Sequence, residues 1–346
     1  MNKRLVPVAA FAAAALVALS GCAPSAAPAP SESGSAQALT IENCGTEQTF
    51  TQVPSRVVLL GGASVAEVNS FIALGIADSI IANLEVYGAS DDPSLVGKVA
   101  ALPTGGLTVN ENYGPPAEQL LAQHPDLVVS SYAGGFDASL GFATRDEISS
   151  FGAKTLITPA NCANGNPNAT DKERQRYDTA GIDGSYELLR TLGRIFRVEE
   201  KAESVISGME GQLASVSTAI KGSTLVSGII LSPGFGTDVP TAWTGGIFDD
   251  VLKQAGVTNV FAGRPAESAG TFSAEQLLVS EPATVVLFGD GTVDIAALRA
   301  SIEKQFPHWP AVKSQSFVTV HDGVYLGPTN AIAVENIAHI AHPDAF

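Results

Sequence analysis

The chain has 346 residues, 45% hydrophobic and 16% charged, with a formal net charge of −16. That is ample for a large core and too long for one small domain, so two lobes are expected. The acidic balance excludes a nucleic-acid binder, which would need Lys and Arg to neutralise phosphates.

The chain opens with Lys3 and Arg4, followed by an uninterrupted apolar run over 8–19. This is the grammar of an export signal, and the run is too short for a permanent membrane span. It ends in Leu19-Ser20-Gly21-Cys22, which resembles a bacterial lipoprotein box. By that resemblance residues 1–21 are removed and Cys22 becomes a lipidated N-terminus. The Ala-, Ser- and Pro-rich stretch over 23–38 cannot build a core and reads as a flexible tether. The expectation is a body held at the outer face of a membrane without crossing it.

From residue 39 the body begins with a small hairpin over 39–51 around Cys44-Gly45, then an all-apolar strand over 57–60. Such a run is typical of a strand buried on both faces of a parallel sheet. The spacing predicts a helix over 65–74 and strands over 80–82, 99–100, 127–130 and 154–157. Helices are predicted over 116–123 and 144–151. A long helical run follows over 184–222. In its second half, over 198–221, Ala202, Val205, Met209, Leu213, Val216 and Ile220 recur at steps of three and four. About 24 residues at 1.5 Å each would reach about 36 Å, enough to cross a small domain. The alternation then restarts, with strands over 225–231, 284–288 and 316–320, and helices over 247–255, 273–279, 294–304 and about 331–340. Strands alternating with helices on both sides of one long helix predict an α/β fold of two Rossmann-like lobes, each with a mainly parallel sheet. The predicted divisions are a lobe over 39–197, the connecting helix over 198–221 and a lobe over 222–346.

A short repeat supports two similar lobes. Ala117-Glu118-Gln119-Leu120-Leu121 precedes Pro125 and an apolar run, and Ala274-Glu275-Gln276-Leu277-Leu278 precedes Pro282 and another.

These residues carry a family resemblance. Pro54-Ser55-Arg56-Val57-Val58, Glu67 and Ala73-Leu74-Gly75-Ile76-Ala77-Asp78-Ser79-Ile80 resemble the opening of the solute-binding proteins of iron–siderophore, haem and cobalamin ABC importers. The segment 118–129 is similar to that family's Glu–helix–Lys-Pro-Asp-Leu-Val stretch, with His124 in place of the usual Lys, and 189–193 with 199–202 resembles its entry into the connecting helix. The resemblance covers about residues 40–340. It implies two lobes on one rigid helix and a ligand in the cleft between them, held by a protein that is not an enzyme, needs no cofactor and works as a monomer. It also implies that Glu118 and Glu275, one per lobe, dock onto arginines of a permease served by an ATPase. Both residues also read as helix N-terminal acids favoured by the helix dipole, and the two roles are compatible. The favoured ligand is a ferric siderophore; haem, a corrinoid or another large anionic cofactor precursor are alternatives. Alternatives of another class are a lipid-anchored hydrolase using Ser64 and a sensor lipoprotein.

Once Cys22 is lipidated, Cys44 and Cys162 remain, and an even pair in an exported protein reads as a disulfide. The five His are scattered, with no array suited to zinc. Ligand contacts are expected from loops at the C-terminal ends of strands. The candidates are residues 61–64 with Ser64, Glu85 and Tyr87, Tyr132 with Arg145 as an anion clamp, Phe235, Trp243 in a loop, and 325–330 with Tyr325. Gly61-Gly62-Ala63-Ser64 lacks the Lys-Ser/Thr ending of a phosphate cradle.

Overall fold

The computed structural model describes residues 38–62 and 64–346. The leader over 1–21, Cys22 and the tether up to residue 37 lie outside the described residues. Among the described residues no helix is long and apolar enough to cross a membrane.

The body starts with an antiparallel hairpin, β1 (Leu39–Asn43) and β2 (Thr46–Phe50), turned at Cys44-Gly45, where both residues take positive φ. Then come β3 (Val57–Leu59), α1 (Ala66–Leu74), β4 (Ile80–Asn83), α2 (Pro93–Ala100), α3 (Ala117–Ala122), β5 (Leu127–Ser130), α4 (Arg145–Ser150), β6 (Lys154–Ile157), α5 (Asp171–Thr179) and α6 (Ile182–Phe196). β3 to β6 form one wholly parallel sheet in the order β4-β3-β5-β6. Their apolar runs suit it: Val57, Val58, Leu59, Leu127, Val128, Val129 and Leu156 are fully buried, as parallel strands covered on both faces require.

The long helix α7 (Glu199–Ala219) follows. After it come β7 (Val226–Ser232), β8 (Thr241–Trp243), α8 (Gly246–Gln254), β9 (Val257–Asn259), α9 (Ala274–Leu278), β10 (Thr284–Phe288), α10 (Ile295–Gln305), α11 (Pro310–Ser314), β11 (Phe317–Val320) and α12 (Asn330–Ala341). The second sheet runs β11-β10-β7-β8, with β9 also on β7; all pairings are parallel except β7 with β8. The protein is therefore a two-lobed α/β fold. α7 packs against α6 and α12, and one hydrophobic cluster runs from Leu59 and Phe71 through Ala202, Ile206 and Met209 to Val334 and Ile337. A core shared in this way makes the helix a strut, because bending it would open buried apolar surface.

Three local expectations are corrected. Residues 99–100 are not a strand but the end of α2. Asp92 caps that helix by accepting from the Ser94 amide at 2.9 Å, Pro93 opens it, and Leu95 and Val99 share its buried face. A two-residue apolar run has no period, so it could not distinguish the two states. The run over 184–222 is two helices. Arg197 adopts φ +58°, and the Val198 amide donates back to the Gly193 carbonyl at 2.8 Å, closing α6 in a Schellman turn. Trp243 lies not in a loop but in β8, where it pairs with Ile230.

Candidate functional site

In each sheet the chain reverses its direction of travel at one strand. From β3 it crosses to β4 on one edge and returns to β5 on the other; from β7 it visits β8 and β9, then β10 on the opposite edge. Loops at the carboxyl ends of such strands diverge and leave a crevice. Here both crevices open onto one cleft of about 770 Å³. The first lobe contributes Gly62, Ser64, Tyr87, Asn161, Asn164, Gly165 and Tyr177; the second contributes residues 232–235, Trp243, Phe248, Phe288, Asp290, Tyr325 and Leu326 among others.

The wall is aromatic. Phe235, at 75% exposure, stands at the rim. It meets Trp243 edge-on with centroids 6.4 Å apart; Trp243 meets Phe288 at 5.9 Å, and Phe288 meets Tyr325 at 5.4 Å. Phe248 backs the indole at 5.0 Å, and the indole Nε1–H donates to Ser232 Oγ at 2.9 Å. Tyr325 then reaches Tyr87 of the other lobe, with hydroxyls 3.3 Å apart. Aromatic pairs of this kind contribute about 0.5–1.5 kcal/mol each beyond their buried area, which favours this arrangement of the wall. Burial, together with the nearby charges of Asp290, Glu85 and Glu67, pushes the Tyr87 phenol up to about 12. Tyr325 is raised by burial and by its neighbour Tyr87, so both remain neutral O–H groups.

Below Ser64 sit two buried carboxyl groups. Ser64 Oγ donates to Glu67 at 2.5 Å, and Thr158 Oγ1 donates to the other oxygen of Glu67. Burial raises Glu67 despite these donors. Glu85 accepts the Val68 amide at 2.7 Å, and its second oxygen has no partner among the described residues. Burial and the charge of Glu67 raise it well above the usual carboxyl range. The Ser64 hydroxyl thus serves a carboxyl group and is not held by an imidazole.

Behind the cleft the lobes are clasped reciprocally. The Asp91 amide donates to Asp322 at 2.7 Å, while the His321 and Gly323 amides donate to one Asp91 oxygen at 2.9 and 2.7 Å. Fully buried Asp322 also accepts from Asn69, Ser90 and Thr329. Burial and the charge of Asp322 raise Asp91 from 3.8 to about 6. Next to this clasp, Gly291 at φ +85° lets the backbones touch: a Cβ there would lie 2.6 Å from the Ala89 nitrogen.

Of the residues singled out in the sequence, Ser64, Tyr87, Phe235, Trp243 and Tyr325 are brought together at the cleft. Tyr132 is set one layer back: its ring lies under Gly62, where a Cβ would be 3.1 Å from it. Arg145 is elsewhere. Its guanidinium donates to the carbonyls of Asn43 and Cys44 and to Thr155 Oγ1, so it anchors the β1–β2 hairpin and cannot clamp an anion in the cleft. The Cys44–Cys162 disulfide ties the same hairpin to the loop after β6, with Cα atoms 5.2 Å apart. Thr329 and Asn330 are buried in the seam between the lobes. Glu118 and Glu275 are exposed, one per sheet-bearing half, in the first turns of α3 and α9. Hydrogen bonding from Ser273 and a backbone amide holds the Glu275 carboxyl below its usual range.

Sequence reasoning missed Asp290, Phe288, Asn161 and Asn164. Phe288 ends β10 and Asp290 follows it, so the same rule about strand ends could have found them. The asparagines lie on a loop with no distinguishing pattern.

Comparison with known proteins places the chain. A family model described as periplasmic binding protein matches residues 63–323. The protein belongs to this family, whose members are extracytoplasmic solute-binding proteins rather than enzymes. A structure titled as an ABC-type Fe3+-hydroxamate transport system from Saccharomonospora viridis is 24% identical with a TM-score of 0.67, over 87% of this chain and 98% of that one. A periplasmic binding protein from Veillonella parvula is 18% identical with a TM-score of 0.68, over 88% and 98%. A periplasmic heme-binding protein from Pseudomonas aeruginosa is 18% identical with a TM-score of 0.61, over 85% and 95%. At these identities the likeness concerns the fold. No curated protein matches the chain significantly.

Proposed function

We propose that the protein is the solute-binding subunit of an ABC importer, lipid-anchored through Cys22, that captures a ferric siderophore in the cleft and delivers it to the permease. The observation that carries this reading is the cleft itself: about 770 Å³, walled by aromatics of both lobes, within the size range of sites for bulky small molecules. Among the described residues no group of three His, Cys, Asp or Glu is placed to hold a bare metal ion, which favours a solute that brings its own donors. The titles of the similar structures, naming Fe3+-hydroxamate and heme, agree in chemical class. Glu118 and Glu275, exposed on the two halves, are the proposed contacts to permease arginines. Two carboxylates on separate lobes can pair with two fixed cations and set the register of docking. The subunit acts as a monomer and the ATPase is reached only through the permease.

The test is a tryptophan fluorescence titration with ferric siderophores, haemin and cobalamin. Trp243 lines the cleft, whereas Trp309 is fully buried in the second lobe's core. Saturable quenching by one compound, lost in Trp243→Phe while calorimetry still records binding, is the expected result. Silence with every compound by both methods would end the chelate reading.

A further inference from the structure

We propose that the cleft selects a ferric chelate with no net negative charge, of the tris-hydroxamate type, and that Asp290 pairs with a basic nitrogen carried by it. The inference rests on the chelate reading above and goes further, to the charge of the ligand.

Among the described residues lining the cleft none is Lys, Arg or His, and the charged one is Asp290. Arg145, the residue expected from sequence to meet an anion, is spent on the carbonyls of Asn43 and Cys44. Arg176 is paired with Asp183 and Glu187. An anionic chelate entering here would find no counter-charge, and would lose its hydration facing a carboxylate.

Asp290 is held as a fixed acceptor. One of its oxygens takes the Thr292 amide at 2.9 Å and the Thr292 hydroxyl at 2.6 Å, and its carbonyl takes the Gly88 amide across the lobe boundary at 3.1 Å. Among the described residues none of the ion pairs involves it. A half-buried carboxylate, oriented by two donors and without a cation, is arranged to receive one.

The ligand chemistry follows by charge count. Each hydroxamic acid loses one proton to solvent as it binds the metal, so three of them cancel Fe3+ and leave a neutral complex. A pendant ammonium makes it +1. Three catecholates give up two protons each and leave −3, and haem carries two propionates. Tyr87 and Tyr325 share one hydrogen bond between their hydroxyls, and the remaining O–H can donate to a hydroxamate oxygen with no change in metal coordination.

The experiment titrates the protein by calorimetry with four probes: ferrioxamine B, its N-acetyl derivative, ferric enterobactin and haemin. Ferrioxamine B is expected to bind about ten-fold or more tighter than its N-acetyl form, the scale of one charge-assisted hydrogen bond. Asp290→Asn, which keeps an acceptor for Thr292, should abolish that difference. The difference should also shrink as salt is raised. Equal binding of the two hydroxamates, or tighter binding of enterobactin or haemin, overturns the inference while leaving the chelate reading standing. Failure of all four probes overturns both.

Discussion

Replacing Asp91 by Asn is expected to stabilise the protein at neutral pH, although it removes a charge from a hydrogen-bonded network. Asp91 and Asp322 face each other across the seam, and the Asp91 carboxyl is raised from 3.8 to about 6. A carboxyl whose folded value lies above its unfolded value holds its proton more tightly when folded. Its contribution is therefore fully present below about pH 4 and is lost as pH rises through about 6. A shift of about two units, at 1.36 kcal/mol per unit, corresponds to about 3 kcal/mol lost between those limits. The side chain of the Asp91→Asn variant would carry no charge. Both amides that reach the Asp91 carboxyl, those of His321 and Gly323, end on the same oxygen, which the amide oxygen of an asparagine can replace. The variant should gain up to about 3 kcal/mol at pH 8, or roughly 4–5 °C in Tm for a body of this size, and nothing at pH 4. Melting curves from pH 4 to pH 8 for both proteins test this. A wild type whose stability does not fall across that range, or a variant that melts lower at pH 8, refutes the account of the seam.

Arg145→Ala should cost about 2–4 kcal/mol, because it strips four hydrogen bonds from the hairpin anchor, and should leave the affinity for any cleft ligand unchanged; a loss of affinity with unchanged stability would return Arg145 to the binding residues. Reducing the disulfide between Cys44 and Cys162, which are separated by 118 positions, should lower stability by about 5 kcal/mol on chain-entropy grounds. Denaturant midpoints with and without reductant read this directly, and coincident midpoints would contradict it. Reversing charge at both Glu118 and Glu275 should leave ligand binding intact and abolish uptake in cells, and transport at the wild-type rate would remove these residues from the docking surface.

The sequence by itself determined what short-range pattern controls. Apolar runs such as 57–60 and 284–288 have no solvent face, so they had to be strands covered on both sides. The three- and four-residue steps from Ala202 to Val216 had to be a helix with one buried stripe. From that alternation came the α/β class, and from the rule about strand ends came Ser64, Tyr87, Phe235, Trp243 and Tyr325. The tertiary structure alone decided which side chains meet. Arg145 lies in the stretch between β5 and β6 that also holds Tyr132, yet its guanidinium finds carbonyls at Asn43 and Cys44, about a hundred positions earlier. Asp91 and Asp322 give no local sign of each other and meet only because 231 positions of chain fold back to one seam. Asp290 is one acid among 35 in sequence and becomes distinctive only because no basic side chain is among the described residues lining its cleft. Periodicity reports whether a residue faces a core. Charge balance at a point depends on every group that the fold brings within a few ångströms, and that is a property of packing across the whole chain.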